Sequence, residues 1–199
     1  MKMPNNEFFL KDIAEIRSGY LFKSGLDNEP GGNLQVVQLK DVSDHGCLST
    51  EGLTKINFIN MKSQYLLEEG DVLFKAKSNK HLAAVAVNIE SPMVATAHYF
   101  IIKIKYKALS PHYLAWFINR KPGQKYFSLH SEGTHIPVVK KKLLGELAVA
   151  IPPLELQEKI VKIFDLLLKE KELSEKLIKR RKQYIENILL NIIDNKSAR

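Results

Sequence analysis

The sequence of 199 residues contains a single cysteine, Cys47. One thiol excludes a disulfide within the chain and any metal site built from several cysteines. The sequence also has no run of about 18 uncharged apolar residues, the length that a helix needs to cross a membrane. Its first dozen residues lack the apolar core and the small-residue cleavage site of a secretory signal. We therefore expect a cytoplasmic protein that does not enter a membrane.

The motifs of the common nucleic-acid enzymes are missing as well. The sequence has no G-x-x-x-x-G-K-S/T loop, which excludes ATP hydrolysis through a P-loop. Pro152-Pro153 lacks the preceding Asn or Asp and the following aromatic residue with which a methyltransferase holds a base amino group. The Asp-x-Lys pattern of a nuclease occurs at Asp194-Asn195-Lys196, in the tail. The six histidines lack metal-ligand spacing. We expect no catalytic centre, no metal site and no cofactor.

The chain is basic, with a formal net charge of +8. Residues 1–153 contain 19 Lys and Arg against 14 Asp and Glu, and residues 154–199 contain 11 against 8. The excess is therefore spread over both parts of the chain and is not confined to a tail. A basic balance of this size favours a polyanionic partner such as DNA or RNA.

An apolar stripe runs through the last quarter of the chain. Leu154 to Ile193 contains neither Gly nor Pro, which cost roughly 1 to 3 kcal/mol inside a helix. Apolar residues recur there mostly at steps of three and four, which predicts one helix about 60 Å long. We expect the stripe to pair with a second helix of the same kind; a terminal helix packed on its own domain is the alternative. The predicted interface residues are Ile160, Ile163, Phe164, Leu167, Leu177, Tyr184 and Ile188.

The preceding part of the chain alternates short β-branched runs with turn residues. This pattern predicts an α+β fold, with a globular domain of many short strands and few helices over 1–152, a long coiled-coil-forming helix over 153–194 and a disordered tail over 195–199. Helices are predicted at 8–16, ending at Gly19, and at 112–120, with Ser110 as N-cap and Pro111 at the first position. Strands are predicted at 34–39, 72–74, 82–89, 93–105 (a pair or one bent strand) and 146–151, a helical turn at 140–144, and a polar connection at 124–139.

Three polar loops, around residues 17–23, 75–81 and 124–135, share one composition. Each combines Lys or Arg, which contact phosphates, with amides, hydroxyls, histidines or aromatic rings, which contact base edges. Any soluble protein has polar loops, so one loop of this kind would indicate nothing. Three of them in a basic chain favour DNA binding. The candidate residues are Arg17, Tyr20, Lys23, Lys75, Lys77, Asn79, Lys80, Gln124, Lys125 and His135.

Four stretches resemble, in the same order, half of a type I restriction-modification DNA specificity subunit. They are LKDIAEIRSGYLFK (10–23), EEGDVLFKAKSNKHLAAVAV (68–87), SPHYLAWFIN (110–119) and GTHIPVVKKKLLGELAVAIPPLELQEKIVKIFD (133–165). That family repeats a target-recognition domain followed by a long conserved helix. The resemblance implies a non-catalytic subunit that binds double-stranded DNA and directs modification (methyltransferase) and restriction subunits to it. Methyl donor, ATP and magnesium would belong to those partners.

The chain departs from the usual specificity subunit in length. It has one recognition domain and one long helix where the family has two of each, so we expect a half-length subunit. The family's two helices pack antiparallel, which implies that two copies of this chain form a homodimer and read a symmetric, split target with a fixed gap. A different half-subunit is the alternative mate. The polar residues Glu170, Ser174 and Arg181 interrupt the stripe, and they either set its register or face the modification subunits.

The same residues allow a second function, that of a basic dimeric coiled-coil scaffold that does not read bases. An autonomous nuclease or methyltransferase is a third option, which the missing motifs disfavour. Selection of DNA sequences separates the first two functions, because purely electrostatic binding is sensitive to salt and blind to sequence.

Overall fold

The computed structural model describes residues 7–130 and 137–197, with side chains as far as residue 191. The chain divides into two compact units, Met1–Glu158 and Lys159–Arg199. The first contains all the strands of the described residues, and the second consists of helix.

The described residues form nine β-strands and five α-helices, which confirms the predicted α+β class. The strands are β1 (Glu7–Phe9), β2 (Ala14–Ser18), β3 (Leu34–Val37), β4 (Thr54–Ile56), β5 (Val72–Lys75), β6 (Ala83–Val85), β7 (Met93–Ala95), β8 (Tyr99–Ile104) and β9 (Ala148–Ala150). The helices are α1 (Leu10–Ile13), α2 (Pro111–Asn119), α3 (Lys121–His130), α4 (Lys141–Gly145) and α5 (Leu154–Ser197). Each predicted strand region contains an observed strand, and 93–105 is a strand pair, β7 and β8.

The strands form three sheets in the first unit. Strands β2, β8, β5 and β6 make an antiparallel sheet in that order, β4, β3 and β7 make a mixed sheet, and β1 pairs with β9. Leu73 and Ile101 of the four-stranded sheet share one buried apolar cluster with Val37 and Met93 of the mixed sheet, so the core lies between these two sheets. Burial of each such side chain stabilises the fold by roughly 1.5 to 3 kcal/mol. Helix α2 packs on β5 and β6, and every residue of β5 is buried.

The segment 8–16 is not the single helix that its apolar spacing predicts. One turn, α1, is helical, while β1 pairs with β9 and β2 pairs with β8. Over so short a segment the spacing fits either structure, and neighbouring strands supply the backbone hydrogen bonds that decide between them. Gly19 is not a helix C-cap either. Its N–H donates to Tyr99 O at 3.0 Å, and a Cβ at this position would lie 2.2 Å from Thr96 O.

Helix α3 occupies the first part of the predicted polar connection over 124–139. The sequence Lys121-Pro122-Gly123 was expected to end a helix, but Pro122 instead lies in the first turn of a new one, where its missing N–H costs nothing. Phe127 holds α3 in place because its ring is fully buried, 4.8 Å from the Phe74 ring between centroids. A single buried aromatic residue in a polar segment therefore accounts for a helix that composition does not indicate.

Helix α5 extends through Ser197 and confirms the predicted long C-terminal helix. It begins one residue later than predicted and continues over 195–197, where a disordered tail was expected, because that stretch contains neither Gly nor Pro. Its first turn belongs to the first unit. There Gln157 is fully buried. Its amide nitrogen donates to Ala108 O and Pro152 O, both at 2.7 Å, and its amide oxygen accepts the Ser110 N–H at 2.9 Å.

Helix α2 starts as predicted, with Pro111 at its first position. The Ser110 side chain makes no capping hydrogen bond, and the Ser110 N–H is bound by Gln157 instead. Within the part of the chain that the structure describes, no helix is long and apolar enough to cross a membrane.

Candidate nucleic-acid interface

Three loop segments meet at one end of the four-stranded sheet. Because the sheet is antiparallel, β2 and β5 finish where β6 and β8 begin, as the pairs Ser18–Phe100 and Lys75–Tyr99 show. This arrangement gathers the segments Gly19–Tyr20, Ala76–Leu82 and Ala97–His98, which we call the loop end. Two of these segments were predicted as DNA-binding loops, and the third was hidden inside the predicted strand 93–105.

The turn Ala97–His98 is the centre of the loop end. The Tyr99 N–H donates to Thr96 O at 3.0 Å and closes the turn. On one side, the Ala76 N–H donates to His98 O at 2.8 Å. On the other side, Tyr20 pairs with Thr96 in a parallel β-bridge. Backbone hydrogen bonds therefore hold the three segments together without any contribution from their charged side chains.

The loop between β5 and β6 presents polar side chains to solvent. Lys77, Asn79 and Lys80 are all exposed. Lys80 forms an ion pair of 3.2 Å with Asp44, but both side chains are mostly exposed, so the pair is weak and a phosphate can replace the carboxylate. The side chains of Lys77 and Asn79 make no hydrogen bond with the residues that the structure describes. Both are available to a ligand.

Tyr20 belongs to an aromatic cluster beside the loop end. Its ring centroid lies 4.8 Å from that of Phe22, 5.1 Å from that of Tyr65 and 5.4 Å from that of Phe58. All three contacts are edge-to-face, an arrangement that stabilises packed rings. Tyr20 is half-buried, so its first role is to pack. Lys23, three residues further on, is exposed.

Three of the predicted DNA contacts, Arg17, Lys75 and Gln124, have side chains that make hydrogen bonds within the fold. Lys75 is 7% exposed, and its ammonium donates to Val42 O at 2.7 Å. Burial lowers the pKa of Lys75. Arg17 donates to Asp71 at 3.1 Å and to Leu66 O at 2.8 Å. The bonds of both cations within the fold favour a structural role for Lys75 and Arg17.

Asp71, the partner of Arg17, precedes β5 at the sheet end opposite the loop end. Its carboxylate is 2% exposed, and burial raises the pKa of Asp71, while the neighbouring Glu68 N–H and the Arg17 guanidinium act to lower it. A buried carboxylate of this kind needs its cation. The Arg17 side chain therefore stabilises the buried carboxylate of Asp71, although Arg17 itself is close in sequence to the loop end.

Gln124 and Lys125 have different roles although they are adjacent. The Gln124 amide donates to His81 O at 2.8 Å and to Ile118 O at 2.9 Å, so it joins α3 to the loop between β5 and β6. This use of the amide removes Gln124 from the candidate contacts. Lys125 is exposed beside it. His135 lies outside the described residues.

His81 is a supporting residue that sequence reasoning placed among polar loop residues. It is 5% exposed, and its Nδ1 lies 3.0 Å from Lys75 O. Its ring stacks on Phe74 with centroids 5.9 Å apart and packs edge-on against Phe127. Burial lowers the pKa of His81. Its Nε2 is buried and finds no hydrogen-bond partner in the described part of the chain, so the neutral ring suits this position.

The second unit is a helix with an exposed apolar stripe. Within a single chain, Ile163 and Leu177 are each 68% exposed and Tyr184 is 67% exposed. The other predicted interface residues are Ile160, Phe164, Leu167 and Ile188, of which Leu167 and Ile188 are also exposed. Further exposed apolar side chains that were not predicted follow the same helical spacing; they are Ile178, Ile185 and Leu189. Pairs four residues apart, Lys171–Glu175 and Lys182–Glu186, occupy the polar surface.

Among the described side chains, those of residues 7–130 and 137–191, no group of three or more His, Cys, Asp or Glu lies close enough together to hold a metal ion. Cys47 is exposed. The described residues thus form a basic loop end in the first unit and, in the second, a long helix with an apolar stripe.

An α+β domain of short strands, joined to such a helix, defines the class of DNA-recognition subunits that the sequence resembles. The family's model, the type I restriction modification DNA specificity domain, matches residues 3–183. The chain belongs to this family, and the predicted resemblance is confirmed.

Relatives and solved structures agree with this assignment. The chain is 24% identical over 200 residues to the type I restriction enzyme MpnII specificity subunit of Mycoplasma pneumoniae. The matched region covers 95% of this chain and 54% of that subunit. Its fold is similar to the HsdS subunit of Thermoanaerobacter tengcongensis, with a TM-score of 0.60, 20% identity and coverage of 84% of this chain and 38% of that one. A structure described as the basis of complex assembly and conformational transition of the type I R-M system gives a TM-score of 0.63 at 19% identity, covering 84% of this chain and 39% of that one.

The chain spans between 22% and 69% of the length of the curated relatives it matches. The two solved structures are covered over less than half of their length. The matching region includes one globular domain and one long helix of this chain.

Proposed function

We propose that this chain is a non-catalytic DNA-specificity subunit of a type I restriction-modification system, acting in the cytoplasm. Its loop end binds double-stranded DNA, and the subunit directs methyltransferase and restriction subunits to the bound sequence. The observation that carries the proposal is the convergence of three loop segments at one sheet end, held by backbone hydrogen bonds, with unengaged polar side chains on the outside.

The geometry narrows the set of proposed DNA contacts. The exposed residues Lys23, Lys77, Lys80 and Lys125 suit phosphates, because each is a flexible cation without a buried partner. Asn79 carries both a donor and an acceptor and suits a base edge. Tyr20 contributes the exposed part of a ring that is otherwise packed. Arg17, Lys75 and Gln124 support these residues from inside the fold.

The apolar stripe of α5 supports a homodimer. Ile163, Leu177 and Tyr184 are each about two-thirds exposed in one chain, an arrangement that is unfavourable in water unless a partner covers it. A second copy offers the same stripe, and an antiparallel pair is self-complementary under a two-fold axis. Such a dimer carries two identical recognition domains and reads a symmetric target split by a fixed gap.

Partner subunits supply the chemistry in this proposal. Methyl transfer and cleavage need a methyl donor, ATP and magnesium, and these belong to the methyltransferase and restriction subunits. The polar surface of α5, with its paired Lys and Glu side chains, is the proposed docking surface for them.

Selection of DNA tests the proposal. Randomised duplexes are incubated with the full chain together with its methyltransferase partner, and the bound fraction is sequenced. We expect an enriched motif of two half-sites separated by a constant gap. Binding that weakens with salt but enriches no sequence would instead identify a basic scaffold protein.

A further inference from the structure

We propose that His98 reads a base edge and sets the sequence preference at one position of each half-site. This inference rests on the proposed function of the loop end in DNA recognition. His98 stands at the centre of the loop end, and its side chain is exposed. Sequence reasoning missed it because the run Thr-Ala-His-Tyr-Phe-Ile-Ile resembles one continuous strand.

The backbone of His98 is fixed more firmly than that of a typical loop residue. The turn it occupies joins β7 and β8, which lie in the two different sheets that enclose the core. Its carbonyl accepts the Ala76 N–H at 2.8 Å, and the Lys77 N–H approaches the same oxygen at 3.4 Å. The turn is anchored by buried residues at both ends: Thr96, which precedes Ala97, is 8% exposed, and Tyr99, which follows His98, is fully buried. A side chain on such a base is held in advance in the position that readout requires.

The ring of His98 has one nitrogen directed to the protein and one left for a ligand. Nδ1 lies 3.4 Å from the Thr96 hydroxyl oxygen. Nε2 makes no hydrogen bond with the described residues. The Thr96 hydroxyl is therefore the neighbour of Nδ1, and Nε2 remains for one hydrogen bond to a base edge in the major groove, where every base pair presents a distinct pattern of donors and acceptors.

The neighbours of His98 have the chemistry that would place it against bases. The Ala76 N–H bonds to the His98 carbonyl, and Lys77 is the next residue in the chain. Asn79 lies two residues further along the same exposed loop. A lysine that binds phosphate fixes the register of the duplex, while the central imidazole and the Asn79 amide face the groove between the strands. The His98 side chain takes no part in the backbone hydrogen bonds of the loop end, so its removal leaves that structure in place.

The experiment repeats the DNA selection with the full chain carrying His98→Ala, compared with the unchanged chain. We expect the mutant to lose roughly tenfold in discrimination at one position of each half-site, the order of one hydrogen bond to a base, with the other positions unchanged. His98→Gln keeps a donor and an acceptor, so it should discriminate more strongly than His98→Ala at that same position. The control is His112→Ala, since His112 is an exposed histidine on α2 and its neighbour Pro111 lies beside Gly70, in the turn that precedes β5 at the opposite end of the sheet.

Two results would overturn the inference while the proposed function stands. In the first, His98→Ala selects the same motif with the same stringency as the unchanged chain. In the second, its affinity falls equally for all sequences and its salt dependence becomes shallower, which identifies a phosphate contact. If the unchanged chain itself enriches no motif, the proposed function fails and this inference fails with it. Thermal unfolding of each variant, matched to the unchanged chain, confirms that the change acts on recognition.

Discussion

Replacement of Gln157 by leucine should destabilise the first unit substantially. The Gln157 amide is the shared partner of three backbone groups: Ser110 N–H, Ala108 O and Pro152 O. Leucine has a similar volume but no polar atom, so all three groups lose their partner at once.

The magnitude follows from the burial of those groups. A backbone group that is buried without a partner costs about 1 to 3 kcal/mol. Residues 108, 110 and 152 are only half-buried, so water replaces part of the loss. We therefore expect Gln157→Leu to lower the free energy of unfolding by about 3 kcal/mol, near the lower end of the sum for three groups.

Urea denaturation followed by circular dichroism measures this change. With a slope of about 2 kcal/mol per molar, the midpoint should fall by roughly 1.5 M. Glu158→Gln is the matched control, since Glu158 is exposed on the same helical turn, and it should shift the free energy by no more than about 0.5 kcal/mol. A loss below about 1 kcal/mol for Gln157→Leu would refute the reasoning, because it would mean that the three groups find other partners.

Three further predictions concern the interface, the loop end and pH. Ile160→Asp or Leu177→Asp should convert the dimer to a monomer in light scattering, because each puts a carboxylate into the apolar stripe; a dimer that survives both changes contradicts helix pairing. Lys77→Ala should weaken DNA binding and reduce its salt dependence by about one counterion, because Lys77 is exposed. Lys75→Met should leave the salt dependence unchanged, because Lys75 is buried. Equal effects of the two changes would contradict the claim that only the exposed lysine contacts a phosphate. Burial depresses the pKa of His81 below its ordinary value of 6.5, so the unfolded chain binds the proton more readily than the folded chain. Stability should therefore fall as pH drops below about 6.5. A His81→Phe variant with the same pH dependence of unfolding would exclude this residue as the cause.

The sequence was sufficient for those elements whose local pattern and tertiary environment agree. Helix α5 has an uninterrupted 44-residue run without Gly or Pro. Strand β5 begins with three consecutive apolar residues, Val72 to Phe74, which match burial on both faces of the sheet. In both elements the periodicity of the sequence and the observed structure require the same conformation.

Prediction failed where distant partners decide between two compatible patterns. Residues 8–16 have a spacing that suits a helix, but pairing with β8 and β9 makes most of them strand. In the run 121–130, polar composition concealed a helix that depends on the burial of Phe127 against Phe74. Neither partner is visible from the local sequence.

The candidate site shows the same limit at the level of single side chains. Lys75 and Lys77 lie two residues apart in one lysine-rich segment and have the same chemistry. The former ends a buried strand and donates to Val42 O, while the latter lies on the exposed loop. His98 was not predicted as a candidate contact, because a two-residue turn between apolar strands has no distinctive composition and the run 93–105 resembles continuous strand. Loops were thus predictable as a class, and their individual contacts depended on the fold.

The most direct test compares binding to a selected duplex and to a shuffled duplex of the same composition, at one fixed salt concentration. For the unchanged chain we expect a preference of about a thousandfold or more for the selected duplex. The double variant Asn79→Ala/His98→Ala, which removes the two proposed base contacts, should lose most of that preference while it remains folded. A ratio near one for the unchanged chain, or an undiminished ratio for the double variant, would contradict sequence recognition by the loop end.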